Sequence, residues 1–389
     1  MSTNIGISRQ QRIFLVKEST RGTLVFPATD GSAVETIASG DGSMNQSPNF
    51  TNSNEIRNSR DVLDRFVDAR PAGSWSFPTY MRPSGTAGDV PQDDVLYECF
   101  FGDKAVNSGT SVVYSQALTK PSFSMWLKKG HTLYFAKGCT VSQLSLNVTN
   151  TGGVNQEWSG GLMWMGWAAP DALASAAAQS DTSITVDEAK KFCVGARIYN
   201  STTDDDNSGA GYEVTAVDVT TNTLTIGTGV ADSGGWSVDD VIEPFLPAGT
   251  EVGEPLANRT TTVDFGTDTG KTIQSLSLTL NDPIQYTEDE ISTEGYPTDY
   301  LENERDYSGN VDLYFRKADA KYYYDGFADT ELDVSINYGD TAGKQAVLNL
   351  PQTSLEVPQV STNAPAVNLS IGLMALGSSG EDSATLTFT

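Results

Sequence analysis

The chain reads as all-β: two tandem β-sandwich domains with a small β-barrel or sandwich domain inserted between them. Three observations predict this. Alternating runs recur along its 389 residues ("VSQLSLNV", "SLSLTL", "NVDLYF", "LDVSINY", "VNLSIGLMAL"), each with the period of 2 that marks a half-buried strand. Gly, Ser, Thr, Asp and Asn punctuate these runs as turn residues, and long helical patterns are scarce. Finally, one apolar phrase occurs twice, as "SGGLMWMG" at 159–166 and "SIGLMALG" at 370–377.

The repeat extends beyond that phrase. At an offset of 236, Thr36, Ile37, Ser39 and Asn45 fall on Thr272, Ile273, Ser275 and Asn281. Phe50 and Thr51 fall on Tyr286 and Thr287, Gly73 on Gly309, and Trp75 and Phe77 on Val311 and Leu313. Each copy therefore reads strand, long polar loop, glycine, alternating strand, which points to an internal duplication. The terminal phrase repeats at an offset of 211, so the second copy lacks 25 residues, expected to come from 83–121. That stretch holds the best helix candidate, "PQDDVLYECFF": Pro91 and two acids suit a first turn, and Val95, Leu96, Cys99 and Phe100 share one apolar face. Nothing comparable stands out in the second copy, which predicts a trimmed repeat without the helix.

The boundaries follow from the pattern. Residues 1–170 form copy one and 249–389 copy two. Between them, 171–248 opens with "DALASAAAQSD" and continues as about five short strands with turns such as "NSGAG" and "DSGG". It carries 13 acids against 3 bases and reads as an inserted domain on the outer surface.

Charge excludes several classes of function. A formal net charge of −26 repels phosphate backbones and anionic membranes, which argues against tight nucleic-acid or membrane binding. No apolar run approaches the roughly 18 residues of a transmembrane helix. "MSTNIGISRQQRIF" lacks the apolar region of a signal peptide, and Cys99, Cys139 and Cys193 are odd in number without CxxC spacing. Both features predict reduced thiols and synthesis in a cytoplasm.

Catalytic chemistry is poorly supplied. The single histidine, His131 in "KKGHTLYF", has no triad or metal partners in its pattern. "DDDNSGAGYEVT" at 204–215 imitates a calcium loop through Asp204, Asp206, Ser208 and Gly209, but Thr215 stands where a bidentate Glu is required. No glycine loop of the phosphate-binding type appears, and no pair among the many carboxylates is singled out. The expectation is a non-enzyme without cofactors.

The two long loops contrast in charge. Loop one, 45–70, holds Glu55, Asp61, Asp64 and Asp68 against Arg57, Arg60, Arg65 and Arg70, with Val62, Leu63, Phe66 and Val67 spaced between them. Loop two, 281–306, holds nine acids, among them Glu288, Asp289, Glu290, Glu294, Asp299, Glu302 and Glu304, against Arg305 alone. Loops this long inside compact domains are uncommon and usually functional or disordered. Matched hairpins reaching toward neighbours, with complementary charge setting register, is the reading that uses both features.

"VKESTRGTL" near the N-terminus, the paired strand–long loop–strand units and the terminal "VNLSIGLMALGSSGEDSATLTFT" resemble the tail tube (major tail) proteins of long-tailed bacteriophages. The resemblance covers both copies and leaves out the insert. It implies sandwich domains whose inner strands form part of a ring barrel, with long loops and arms joining stacked rings. It also implies a lumen through which DNA passes without specific binding, a tape measure protein and tail-end proteins as partners, and a place in the virion tail after assembly in the host cytoplasm. Because the domain is doubled here, three chains would supply six domains, a trimeric ring of pseudo-sixfold symmetry; a hexamer of whole chains is the alternative. On this reading Glu55, Arg57, Arg60, Asp61, Arg65, Phe66 and Arg70 are candidate contacts between rings, and the acids of loop two line either that contact or the lumen. The competing readings are a carbohydrate-binding or adhesive β-sandwich, with an exposed Trp236 to stack sugars, and a β-rich hydrolase using two carboxylates.

Overall fold

The computed structural model describes residues 9–56, 60–62, 64–290, 295–363 and 365–389. The first unit comprises β1 (Gln11–Lys17), β2 (Glu35–Thr36), β3 (Ser43–Asn45), β4 (Asn49–Asn52), β5 (Arg65–Ala69), β6 (Gly73–Tyr80), the helix α1 (Asp94–Phe101), β7 (Gly102–Asn107), β8 (Ser111–Gln116), β9 (Phe123–Lys129), β10 (Thr132–Cys139), β11 (Gln143–Val148), β12 (Asn155–Leu162) and β13 (Trp164–Ala168). There follow β14 (Asp171–Ala172), β15 (Ser183–Thr185), β16 (Arg197–Asn200), β17 (Tyr212–Asp218), β18 (Thr223–Ile226) and β19 (Val241–Pro244), which pair only among themselves as named strands. The second unit comprises β20 (Thr262–Phe265), β21 (Asp268–Lys271), β22 (Ser275–Asn281), β23 (Ile284–Tyr286), β24 (Tyr300–Glu302), β25 (Asp306–Tyr314), the helix α2 (Lys321–Ala328), β26 (Glu331–Thr341), β27 (Lys344–Leu355), β28 (Gln359–Asn363), β29 (Ala366–Leu376) and β30 (Thr385–Phe388).

Both units share one topology. A front sheet runs β11-β12-β6-β3 in the first and β28-β29-β25-β22 in the second. A back sheet runs β13-β10-β9-β1-β2 in the first and β30-β27-β26-β20-β21 in the second. Alternation in the sequence dictates the packing. In the first unit Trp75, Phe77, Leu144, Leu146 and Trp158 point back from the front sheet; Ile13, Leu15, Met125 and Leu127 point forward to meet them. Leu278, Val311 and Ile371 meet Val263, Ile336 and Leu348 in the second unit, and a single apolar cluster runs through both. Full burial of each large side chain contributes roughly 1.5–3 kcal/mol.

The helix α1 lies over the first unit's core where "PQDDVLYECFF" predicts it, with Leu96, Tyr97, Cys99, Phe100 and Phe101 enclosed. It ends at Gly102, whose φ of 103° is left-handed and whose Cα a side chain could not decorate, because a Cβ there would stand 2.9 Å from that of Ala117. The second unit corrects the expectation of a missing helix: α2 follows β25 as α1 follows β6. What the second unit lacks is the β7–β8 hairpin. In the first unit that hairpin extends across the chain, β8 pairing with the C-terminal β30 (Tyr114 opposite Leu386).

The first unit's back sheet is apolar on both faces. Ile13, Met125 and Leu127 face the sandwich core, whereas Phe14, Trp126, Leu133 and Phe135 face the other way into a second cluster with Ile184, Ile198, Leu224 and Trp236 of the 171–248 segment. That segment therefore sits behind the back sheet, opposite the front sheet. The second unit carries no such cover, and its back face is polar, with Ser335 donating to Asn349 at 2.6 Å and Asn337 to Asp264 at 3.0 Å.

Just before α1, Asp93 is enclosed beside Thr79, whose hydroxyl donates to it at 2.8 Å, and burial lifts its pKa to about 7 against the opposing pull of Thr79 and Arg82. Because the folded value lies above the unfolded one of about 3.9, the folded state holds this proton longer, and stability falls as pH rises from about 4 through about 7. Asp93→Asn removes that slope. Unfolding free energies from urea titration are expected to match the parent near pH 4 and to exceed it, by on the order of 4 kcal/mol, at pH 8; identical curves at both pH values would contradict the assignment.

Candidate functional site

The front sheets of the two units are one sheet. β22 of the second unit pairs antiparallel with β11 of the first, Leu280 opposite Leu144, Leu278 opposite Leu146 and Leu276 opposite Val148. The continuous order is β28-β29-β25-β22-β11-β12-β6-β3. Since leucines occupy one parity of these strands, the other parity faces away from the core, and it is polar almost throughout: Ser74 and Ser76; Gln143, Ser145 and Asn147; Ser275, Ser277 and Thr279; Ser308 and Asn310; Asn368 and Ser370. Its charged groups are Glu157, Asp306 and Asp312, and no lysine or arginine stands at these positions among the described residues.

Hydroxyl and amide groups on this face bond to one another. Asp312 accepts from Ser275 at 2.7 Å, Ser370 at 2.5 Å and Asn310 at 3.1 Å, and Asn310 also donates to Ser370 at 2.7 Å. Ser43 and Ser76 share a hydrogen bond of 2.8 Å across β3 and β6. The result is a broad, concerted surface of short neutral groups with scattered negative charge. Such a surface offers a polyanion no counter-charges at these positions, and its exposed rings, Tyr80 and Tyr314, stand singly at strand ends.

Both long loops fold as two-stranded hairpins at matching places, β4–β5 and β23–β24. In the first, Phe50, Ile56, Val62, Phe66 and Val67 are exposed, and the Arg65 guanidinium lies 4.5 Å from the centre of the Phe50 ring. Glu55, Arg60 and Asp61 stand exposed on the same arm, and Arg70 at its base donates its backbone N–H to Gly295 of the other hairpin at 2.8 Å. Arg57, Leu63 and Glu294, named from the sequence, lie outside the described residues.

The second hairpin is held against the first unit. Tyr286 and Tyr300 are buried beside Met163. The Tyr286 hydroxyl donates to the carbonyl of Gly138 at 3.1 Å and bonds Thr140 at 2.9 Å, while Tyr300 donates to the carbonyl of Lys120 at 2.9 Å. Three of the acids named from the sequence are engaged here: Glu288 accepts from the N–H of Ala72, Asp299 pairs with Arg21, and Glu302 accepts from the N–H of Lys120. Arg21 also lies 3.9 Å from the centre of the Tyr300 ring. Glu290 accepts from Thr298 at 3.5 Å, and Asp289 and Glu304 are exposed.

Charges buried under this junction were not singled out by the sequence pattern. Lys120 and Asp282, both with fully enclosed side chains, form an ion pair across the units; Asp282 also accepts from Arg305 at 2.8 Å. Burial lowers the Lys120 pKa, opposed by Asp282. Burial also works against the Arg305 charge, but its bonds to Glu381 and Asp282 more than offset that and raise its pKa. Glu18 of "VKESTRGTL" is likewise buried but ties the first unit to itself, its carboxylate accepting from Gly22, Ser122, Ser124 and Gly138 at 2.6–2.9 Å. Only the topology brings these partners together, so no local spacing announces them.

Other candidates take structural places. Trp236, which the sugar-binding reading needs exposed, is enclosed in the 171–248 core; its ring meets Tyr212 edge-on at 5.1 Å, and its N–H donates to Asp205 at 2.8 Å. Asp205 organises the calcium-like loop, accepting also from the Tyr212 hydroxyl and the N–H of Asp232. His131 sits at the β9–β10 turn. No cluster of His, Cys, Asp and Glu able to hold a metal occurs among the described residues, and no helix there is long and apolar enough to cross a membrane.

No curated protein matches the chain. The family model described as phage tail tube protein matches it in two overlapping segments, residues 8–269 and 234–389. Each segment carries one front sheet, one back sheet and one hairpin arm. A duplicated sandwich with these arms, matched twice by one family over most of its length, belongs to the phage tail tube protein family, as a structural component of the tail.

Proposed function

We propose that the chain assembles into rings that stack as the tail tube, with the polar face of the front sheet as the wall of the lumen. The observation that carries this reading is the continuous eight-strand front sheet, polar and free of cations on one face, in which the units are already joined edge to edge. A conduit must let DNA slide. Acidic and hydroxylic groups repel or weakly hydrate a phosphate backbone and give it no ion-pair holds. Residues 1–170 and 249–389 act as two tube domains, so three chains make a ring of pseudo-sixfold symmetry. The 171–248 domain, behind the back sheet, lies on the outside. A tape measure protein occupies the lumen before DNA does, and tail-end proteins cap the tube.

Electron microscopy of the purified chain tests this. Tubes or rings with three external knobs each are expected; six knobs per ring overturn the trimer, and monomers under all conditions overturn the tube. Stacking falls to the arms. The first hairpin, with Arg60 and exposed Ile56 and Val62, meets acids of the adjacent ring, and Arg57, a contact expected from the sequence, is tested with it. Arg57→Glu with Arg60→Glu is expected to leave folded rings whose tubes are several-fold shorter or absent. Tubes of parental length in that variant would remove the arm from the stacking contact.

A further inference from the structure

The two ends of the front sheet are open edges, and the sequences of those edges show what covers them. β28 occupies the place in the second unit that β11 occupies in the first: Gln359 lies opposite Ser370 as Gln143 lies opposite Ser159. Aligned this way, Gln143-Leu144-Ser145-Leu146-Asn147 matches Gln359-Val360-Ser361-Thr362-Asn363. At the far end β3 occupies the place of β22, Asn45 corresponding to Asn281 and Met44 to Leu280. In the middle of the chain the β11 and β22 edges pair with each other. At its ends the equivalent edges pair with no further strand among the described residues: Val360 is 51 % exposed where its counterpart Leu144 is 1 % exposed.

The hairpin gives a second, independent observation. Phe50 corresponds to Tyr286, yet Phe50 is 51 % exposed and Tyr286 is 8 % exposed. Tyr286 is covered because its ring lies on Gly161, 2.3 Å from where a Cβ would be, beside Met163. Gly161-Leu162-Met163 corresponds to Gly372-Leu373-Met374, and Met374 is 51 % exposed where Met163 is 1 % exposed. The arm on the first unit thus lacks a receptor, and the receptor on the second unit lacks an arm. The single tyrosine hydroxyl bonded to Thr140 is absent from Phe50, and Glu356, which now covers Gly372, stands at the place of Thr140.

We infer that β3 and Phe50 of one chain dock on β28 and Met374 of a second copy, repeating between chains the junction that β22 and β11 make within one. The register is fixed by that junction: Asn45 opposite Gln359, Met44 opposite Val360, Ser43 opposite Ser361. Backbone pairing satisfies both edges, which would otherwise template aggregation, and Met44 and Val360 close the core seam. The contact is heterologous and closes around the ring. This rests on the ring assembly proposed above and names the surfaces that form it.

Cysteines test the register. Ser43→Cys with Ser361→Cys is expected to give interchain disulfides on mild oxidation of assembled tubes, ending in a closed covalent ring. Ser43→Cys with Gln359→Cys, displaced along the strand, is expected to cross-link at least tenfold less. Equal cross-linking of both pairs, or of neither, in tubes seen by microscopy overturns this register while leaving the ring reading intact; a parent chain that forms no rings overturns both. Phe50→Asp, an exposed position, is expected to keep the parental unfolding curve and remain monomeric. Normal ring formation by that variant would place the arm elsewhere.

Discussion

Asp282→Ala is expected to destabilise the chain by about 3–5 kcal/mol, because it leaves Lys120 and Arg305 buried without their shared counter-charge. The Lys120 ammonium is enclosed and ion-paired with Asp282, with the Phe100 ring 5.0 Å away and the Glu302 carboxylate adding a weaker pull. Removing the carboxylate cannot be answered by hydration, since the cluster lies under the base of the second hairpin, whose Tyr300 bonds the Lys120 carbonyl. The loss should appear as a lowered urea midpoint with the second hairpin released to proteolysis. Removing both charges at once, as Lys120→Met with Asp282→Leu, is expected to recover most of the loss, because the enclosed ammonium is gone and Arg305 keeps Glu381 as its counter-charge. An Asp282→Ala protein within 1 kcal/mol of the parent would show that water reaches the cluster and that the units are held by strand pairing alone.

The second large effect concerns transport. Glu157 and Asp306 are exposed on the polar face and sit on different units. Glu157→Lys with Asp306→Lys leaves the core untouched, so folding and tube width are expected to be parental. In the proposed tube, however, this face would change from scattered anions to repeated rings of cations. Purified tubes should then retain double-stranded DNA, with retention falling steeply as salt rises, since each lysine releases counterions from a phosphate. Virions carrying the variant should eject their DNA roughly tenfold more slowly or stall, on the order of the affinity that a few phosphate contacts supply. Parental ejection with no DNA retention would remove this face from the lumen.

Much of this architecture was written in the sequence, and the physical reason is periodicity. "VSQLSLNV" and "SLSLTL" alternate because one face meets the core and the other meets water, so their strands and even their buried leucines are legible before folding. The helix α1 was legible because its apolar side chains fall on one face. Its partner α2, in "KADAKYYYDGFAD", was not: Tyr322 alone is enclosed while Tyr324 and Phe327 are exposed, so no apolar stripe marks it. The long loops were legible as paired arms, but not the fact that Glu288, Asp299 and Glu302 are occupied by the first unit. That depends on Arg21, Ala72 and Lys120, residues brought alongside only by the pairing of β22 with β11. The correspondence of β28 with β11 was hidden for a related reason. It lies between the two offsets at which the rest of the repeat aligns, and only the register with β29 exposes it.

In the ring proposed above, joining two tube domains in one polypeptide would also change how assembly proceeds. The β22–β11 junction forms as the chain folds, at the high effective concentration of tethered partners, so half of that ring's lateral contacts would precede any encounter between molecules. Fewer collisions must succeed before the circle closes, and fewer partial arcs with sticky edges accumulate. The two halves also differ behind the polar face: one back sheet seats the 171–248 segment while the other carries polar pairs, and the front sheet is common to both. In the proposed trimer, covalent linkage would let the exterior carry threefold decoration around a bore close to sixfold, a division of labour closed to a ring of identical single domains.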